Sequence, residues 1–201
     1  MSNDTYSCFA DLKEAEGEEC FHITCKMKNR SSVYAIMAPH GGKYESGTTE
    51  IAITIAHNDL SLYTFNANKI KNNKTLHITS TNFDEPTCED MLKNTETVLT
   101  IHGATDPNTG PKEVIWVGGS LRKTFEIHLK KEMEPLGFPV ETNTKFLGEE
   151  PRNICNRGTS QQGMQLELTK SLRERLIADK ELLKKFSDAI RTAMILTYPV
   201  N

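Results

Sequence analysis

Two histidines and three glutamates near apolar segments are the residues of this sequence best suited to metal chemistry. His40 ends the segment IMAPHGG and His102 ends VLTIHGA, each followed by glycine. Glu45 and Glu50 follow His40, and Glu167 lies in MQLELT. A zinc enzyme needs about three protein ligands, an open position for water and usually a nearby carboxylate as general base. These residue types would supply such a site if they converge in space.

Each of these residues also has an ordinary structural interpretation. A histidine at the end of a strand often makes only a hydrogen bond, and Gly41 and Gly42 could simply form a tight turn. Glu45 could be a solvated charge near a helix start, where the helix dipole favours it. Glu167 could pair with a lysine. The residues alone leave the metal site and the structural interpretation open.

The helices and strands that could bring these residues together alternate along the chain. This alternation predicts an α/β fold. In an open α/β sheet, the carboxyl ends of neighbouring strands are the usual place for a binding site. The patterns predict strands over 21–29, 32–40, 60–68, 75–80, 96–104, 111–119, 138–143 and 164–169. They predict helices over 6–16, 48–59, 85–95 and 120–137, and two more within 170–198. The segment 145–163 is irregular, and no linker or repeat divides residues 1–201, so one domain is expected.

Composition excludes several classes of function. Of the 201 residues, 25% are charged and 37% are hydrophobic, which is typical of a globular protein. The net charge of −3 gives no reason to expect nucleic acid or an anionic membrane as a partner. An acidic substrate remains compatible with a locally basic cleft. No apolar segment reaches the roughly 20 residues that cross a bilayer. The polar N-terminus lacks signal-peptide features, so synthesis in the cytoplasm is expected. The 5 cysteines are expected to be reduced thiols.

Five longer motifs carry a resemblance to a known family. In chain order they are APHGGKYESGTTEIA, LHITSTNFDEP, IHGATD, VGGS and NICNRGTSQQGMQLELTKSLR. Together they resemble the poly-γ-glutamate hydrolases, zinc peptidases found in bacteriophages of poly-γ-glutamate-producing bacilli and in some bacterial genomes. The resemblance runs from about residue 33 to residue 175. It implies a zinc carboxypeptidase-like fold, with a mixed, mainly parallel sheet flanked by helices.

The resemblance also implies roles for the residues named above. His40, Glu45 and His102 would hold zinc, and Glu167 would act as general base. The spacing departs from the carboxypeptidases, in which the first two ligands stand as His-x-x-Glu, because four residues separate His40 from Glu45. Glu50 therefore remains a candidate for the second ligand.

Substrate binding is implied for Arg157 and its neighbour Asn156. A guanidinium binds carboxylates in a bidentate manner, and γ-linked glutamate presents one free carboxylate on every unit. The alternative is a surface arginine paired with Glu149 or Glu150. His77 would touch substrate or support a metal ligand, although a histidine satisfied inside the fold is the alternative. A Cys155 nucleophile would need an exposed thiolate and a base.

The function implied by the resemblance is zinc-dependent cleavage of the γ-glutamyl amide bonds of poly-γ-glutamate, an anionic polymer of bacterial capsules. Alternatives are a zinc amidohydrolase for a small acylated amino acid and an inactive carboxylate-binding domain. A monomer is expected, and host lysis would release a phage enzyme. Endo or exo cleavage and the preference for D- or L-glutamate stay open.

Overall fold

One mixed sheet organises the computed structural model, which describes residues 4–28 and 32–200. The strand order is β1-β3-β2-β4-β7-β5-β6. The strands are β1 Phe21–Lys26, β2 Ser32–Gly42, β3 Ser61–Ala67, β4 Thr95–Ala104, β5 Ile115–Gly118, β6 Val140–Glu141 and β7 Gln162–Thr169. The central strands β3, β2, β4 and β7 are parallel, β1 is antiparallel to β3, and β5 is antiparallel to β7.

Helices cover both faces of this sheet. They are α1 Phe9–Glu16, α2 Thr48–Ala56, α3 Pro86–Lys93, α4 Arg122–Met133, α5 Lys170–Ala178 and α6 Lys180–Thr197. The larger apolar cluster joins the sheet to α2, α4, α5 and α6, and the second joins the opposite face to α1 and α3. Both clusters draw on the central strands, which explains why those strands have nearly continuous apolar sequences.

The strand order reverses direction at the centre of the sheet, between β2 and β4. The chain passes from β2 through α2 to β3 on one side, and then returns to β4 on the other side of β2. In open α/β sheets, the connections that follow two adjacent strands diverge at such a point. A crevice therefore opens outside the carboxyl ends of these strands. His40 lies near the end of β2 and His102 near the end of β4.

The glycine pair after His40 lets β2 and β3 approach closely. Gly42 has a φ of 68°, and a Cβ added there would lie 2.8 Å from the backbone nitrogen of Ala67. A Cβ on Gly41 would lie 2.8 Å from the side-chain oxygen of Asn66. The register between β2 and β3 shifts between Ala38 and Gly41. These glycines therefore serve the packing of the strand end on its neighbour, in addition to forming a turn.

The expected α/β fold with a mixed, mainly parallel sheet and flanking helices is confirmed. The strand expected over 75–80 is wrong: residues Asn73–Leu76 form a 3₁₀ turn and the chain then runs outside the sheet. The alternation that suggested a strand is present, because Leu76 and Ile78 are buried. The backbone of this segment bonds instead to loops and side chains.

Element ends differ from the predictions by a few residues. The strand expected over 21–29 ends at Lys26, and Asn29 lies outside the described residues. Strand β5 is shorter than the expected 111–119 and β6 is shorter than the expected 138–143. Within the described ranges, the longest and most apolar helices fall short of what a membrane span requires.

Replacement of Gly42 tests the close approach of β2 and β3. We expect Gly42→Ala to lower the free energy of unfolding by about 3 kcal/mol, because a Cβ adds backbone overlap to the strain of a positive φ. Gly110→Ala is the matched control: Gly110 has a φ of 81°, but a Cβ there would meet nothing within 4 Å. That variant should lose only about 1 kcal/mol. Urea unfolding of both variants measures the difference, and equal losses would contradict this account of the packing.

Candidate metal centre

Three side chains converge at the reversal point of the sheet. The Nδ1 atoms of His40 and His102 lie 3.1 Å apart. One oxygen of Glu45 lies 3.3 Å from His40 Nδ1, and the other lies 3.7 Å from His102 Nδ1. Zinc–ligand bonds of about 2.0–2.1 Å at tetrahedral angles place ligand atoms roughly 3.3 Å apart. The three side chains therefore have the chemistry and the spacing to hold one metal ion.

The hydrogen bond on the far side of His40 prepares its inner nitrogen for a metal. His40 Nε2 lies 2.8 Å from the carbonyl oxygen of Ile78. A carbonyl only accepts, so Nε2 carries the hydrogen and the neutral ring presents a lone pair at Nδ1. His102 Nε2 lies 3.4 Å from the hydroxyl of Ser80. The segment 77–80 therefore orients the rings from outside, as partners of metal-bound histidines do.

Glu45 is held by the strand that carries His102. Its Oε2 accepts a 2.8 Å hydrogen bond from the backbone N–H of Gly103, and its own N–H donates to His40 O at 3.0 Å. A Cβ on Gly103 would lie 2.9 Å from the Cβ of Glu45. The glycine after His102 therefore leaves room for the carboxylate. Glu50, the other candidate ligand, is exposed on α2 and does not join the group.

The electrostatics of the group favour an ionised carboxylate. Burial opposes the charge on Glu45, but the adjacent His40 and His102 outweigh it and hold the pKa of Glu45 well below its usual range. Burial likewise disfavours a charged His102, but its bond to Glu45 and the nearby Glu167 raise the pKa of His102 above 6.5. Without a metal, a proton shared by the imidazoles balances the charge of the Glu45 carboxylate, and a bound cation would take the place of that proton.

Glu167 lies beside this group without belonging to it. In the parallel ladder between β4 and β7, Glu167 is the partner of His102, so both side chains project from the same side of the sheet. Glu167 is 8% exposed, and Gln165 Nε2 donates to its Oε1 at 3.3 Å. Burial raises the pKa of Glu167 to about 7, partly opposed by His102. A carboxyl group with this environment suits proton transfer.

A cavity of about 460 Å³ opens in front of the group. His40, Glu45, His102, Glu167, Tyr44, His77, Ser80, Lys145, Phe146, Asn153 and Gln165 are among its lining residues. Lys145 and Thr105, at its edge, are exposed, so the interior is open to solvent. Pockets that combine a few convergent polar groups with perturbed pKa values are the usual location of active sites.

His77 lines this cavity, and one of its two ring nitrogens is already hydrogen-bonded. Its Nδ1 lies 2.7 Å from a carboxylate oxygen of Asp4, and the other oxygen of Asp4 accepts from Thr79 N at 2.8 Å. Burial, together with the neighbouring His40, lowers the pKa of His77 to about 4. The neutral ring then donates from Nδ1 to Asp4 and keeps Nε2 as an acceptor. No hydrogen bond occupies that Nε2 among residues 4–28 and 32–200.

Arg157 and Asn156 are not among the residues that line the cavity, and their expected role in substrate binding stays a prediction. Arg157 donates to the carbonyl of Phe83 at 2.6 Å and forms an ion pair with Glu89 on α3. Asn156 is 2% exposed, and its amide donates to Gly148 O at 2.8 Å and to Glu150 O at 2.9 Å. These side chains hold the irregular segment against the fold.

Cys155 does not offer a nucleophile. It is fully buried, and burial raises the pKa of its thiol well above the ordinary value. The expectation of reduced thiols is compatible with the absence of any disulfide in the described ranges, where each of the 5 cysteines is free.

Sequence reasoning missed several residues of the site. Arg173 is 7% exposed and packs on Gly103, as does Glu45, and Gln165 and Asn153 form a buried amide pair with a 3.2 Å hydrogen bond beside Glu167. Lys145 lies in the irregular segment and lines the cavity. For Gln165 a signal was present, because it stands two positions before Glu167 on the same strand and so shares its side. Nothing local marks Arg173.

A family model described as poly-gamma-glutamate hydrolase matches residues 6–195 of the chain. The UPF0714 protein YmaC of Bacillus subtilis (strain 168) is 36% identical over 179 residues, which cover 88% of this chain and 73% of that protein. A solved structure of a bacteriophage poly-gamma-glutamate hydrolase superposes with a TM-score of 0.86 at 28% identity, covering 98% of this chain and 100% of the other. A structure described as zinc-free apo YndL gives a TM-score of 0.85 at 29% identity, with coverages of 97% and 99%.

Removal of either histidine tests the metal centre. We expect His40→Ala and His102→Ala to reduce bound zinc from about one equivalent to less than about a tenth, because each removes one of three ligands. His22→Ala, at an exposed position of β1, is the matched control and should keep the full amount. Elemental analysis of protein purified from zinc-supplemented medium gives the content, and circular dichroism verifies folding. Full retention by both folded variants would exclude this ligand set.

Proposed function

The chain belongs to the poly-γ-glutamate hydrolase family, and we propose that it is a zinc-dependent hydrolase that cleaves the γ-glutamyl amide bonds of poly-γ-glutamate. The observation that carries this proposal is the convergence of His40, Glu45 and His102 beside the buried Glu167, in a cavity open to solvent. In this proposal the three side chains hold zinc and Glu167 acts on the proton. The biological role would be the shortening of a capsule polymer.

The residues of the cavity divide the chemistry among them. A zinc ion held by His40, Glu45 and His102 would acidify a bound water and polarise the scissile carbonyl. Glu167 would accept the proton of the attacking water on a carboxylate oxygen and pass it to the nitrogen of the leaving amine. His77, whose Nε2 is an acceptor, would take a hydrogen bond from a substrate amide N–H.

Recognition of the substrate carboxylates falls to Lys145 in this proposal, because Arg157 is bound to Glu89 and Phe83 elsewhere. Lys145 is the one lysine or arginine among the described residues that line the cavity. Its ammonium has no ion-pair partner among those residues. The loop that carries it is anchored by a 2.8 Å bond from Gly119 N to Leu147 O and by stacking of Phe146 on Trp116 at 5.5 Å. A poly-γ-glutamate chain bears one negative charge per unit, which an exposed cation at the cavity edge would attract.

Substitution of Glu167 tests its role as the base. We expect Glu167→Gln to lower kcat on poly-γ-glutamate by about 10²–10⁴-fold, because an amide cannot accept the proton, while zinc content stays unchanged. Glu50→Gln, the same change at an exposed position of α2, is the control and should keep full activity. Size-exclusion chromatography of the polymer gives the rate, and elemental analysis gives the zinc. An unchanged rate would remove Glu167 from the base role.

Activity measurements on the polymer and on N-acylated glutamate separate the proposed polymer hydrolase from the two alternative functions. A wild-type protein that releases products from N-acylated glutamate, yet leaves the polymer length unchanged, would be a small-molecule amidohydrolase. A zinc-loaded protein without turnover on either substrate would be a binding domain.

Paired substitutions distinguish the two candidate carboxylate-binding residues. We expect Lys145→Gln to raise KM for the polymer by about fivefold with little change in kcat, which is the scale of one exposed ion pair. Arg157→Gln should leave KM within about twofold of wild type, a change well below that scale. Added salt should raise the wild-type KM more than that of Lys145→Gln, because it screens the attraction that the variant has lost. The reverse pattern would restore Arg157 to substrate binding.

A further inference from the structure

Arg173 on α5 links the three segments that carry Glu45, His102 and Glu167. Its Nε donates to Leu168 O at 3.0 Å and its Nη2 donates to Ala104 O at 3.1 Å. Its Nη1 donates to the carbonyl of Ser46. Ser46 follows Glu45, Leu168 follows Glu167, and Ala104 stands two positions after His102. One guanidinium therefore contacts the backbone within two residues of each of these side chains.

The position of this charge is unusual for a structural residue. Arg173 is 7% exposed and lies in the first part of α5, where the helix dipole disfavours a cation. Burial lowers the pKa of its guanidinium from the ordinary value, opposed by Glu45. A Cβ on Gly103 would lie 2.7 Å from Arg173 Cζ, so the guanidinium packs directly on the turn after His102. The three carbonyls and the carboxylates of the centre offset the free-energy cost of burying the charge of Arg173.

The sheet itself does not require this link. Strands β4 and β7 are already paired through His102 with Glu167 and Ala104 with Thr169. The turn that carries Glu45 lies outside the sheet, so its position relative to β4 and β7 depends on few contacts. Those contacts include the bond from Gly103 N to Glu45 and the bond from Arg173 to Ser46.

We propose that Arg173 is a positioning residue for the metal centre: it holds the turn of Glu45 against the ends of β4 and β7, so that the ligand atoms stand at binding distance before the metal arrives. The inference rests on the proposed function only in assuming that the centre binds zinc. His40 is positioned separately, through its bond to Ile78 O. Arg173 therefore acts on the carboxylate ligand and on its distance from His102.

Zinc affinity is the measurement that separates positioning from structural support. We expect Arg173→Met to weaken zinc binding by about 10–100-fold, measured on metal-free protein by competition with a chromophoric chelator. Arg173→Lys should bind zinc about tenfold more weakly than wild type, because one ammonium group cannot reach three carbonyls that three separate guanidinium nitrogens contact. Cobalt-substituted Arg173→Met should show altered visible absorption bands, since the ligand geometry changes. Each variant is also unfolded in urea without metal.

Arg191→Met is the matched control. Arg191 on α6 also donates to a backbone carbonyl, that of Ile55 at 2.7 Å, and pairs with Asp59, and neither contact involves a residue of the candidate metal centre. The zinc affinity of Arg191→Met should lie within about threefold of the wild-type affinity. This change is far smaller than the one expected on replacing a residue that supports a ligand. If Arg173→Met loses stability in urea yet binds zinc like wild type, Arg173 is only structural and the proposal is overturned. Should that variant not fold, Arg173→Lys decides: wild-type affinity rejects the proposal and a tenfold loss supports it. Failure of the wild type itself to bind zinc would instead refute the proposed metal centre, and with it this role.

Discussion

Two imidazole nitrogens and a carboxylate face one another at 3.1–3.7 Å, and electron-pair donors this close repel unless a proton or a cation lies between them. The fold maintains this arrangement by fixing each donor from behind. The carbonyl of Ile78 sets the tautomer of His40, and the N–H of Gly103 holds Glu45. Such outer contacts reduce the reorganisation that metal binding would otherwise require. The depressed pKa of Glu45 is the electrostatic result of the same arrangement.

The position of the centre follows from the topology of the sheet. The order reverses between β2 and β4, and the carboxyl ends of neighbouring strands border a crevice at such a reversal. β7 lies next to β4 in register, which places Glu167 beside His102 and gives the crevice a buried carboxyl group as well as the three candidate ligands. Glycines at 41, 42 and 103 leave the space that these side chains and strands occupy. The geometry of the candidate site and the packing of the strands therefore depend on the same few residues.

The extended segment after β3 shows how a correct local pattern can mislead. Leu76 and Ile78 alternate with more exposed residues as they would in a strand. The backbone carbonyls of Ile78 and Ser80 bond instead to His40 and to the N–H of Ile154. A pattern of alternation records which side chains are buried, but it does not record which partner the backbone takes. Here the partners are His40 and a distant loop, so the segment supports the candidate site rather than the sheet.

The sequence alone predicts the α/β class, most of the helices and strands, and the residue types of the centre, because these depend on periodicity and on neighbours a few positions apart. It indicated His40, His102 and Glu167 through their places at or near the ends of strands. Tertiary contacts alone place Glu45 rather than Glu50 beside the two histidines, leave Arg157 and Asn156 outside the cavity lining, and bring Lys145 and Arg173 to the site. Those outcomes depend on contacts between distant positions, such as the bond from Arg173 to Ser46 across 127 residues. No local pattern encodes a contact of that kind, because its energy exists only when the whole sheet has formed.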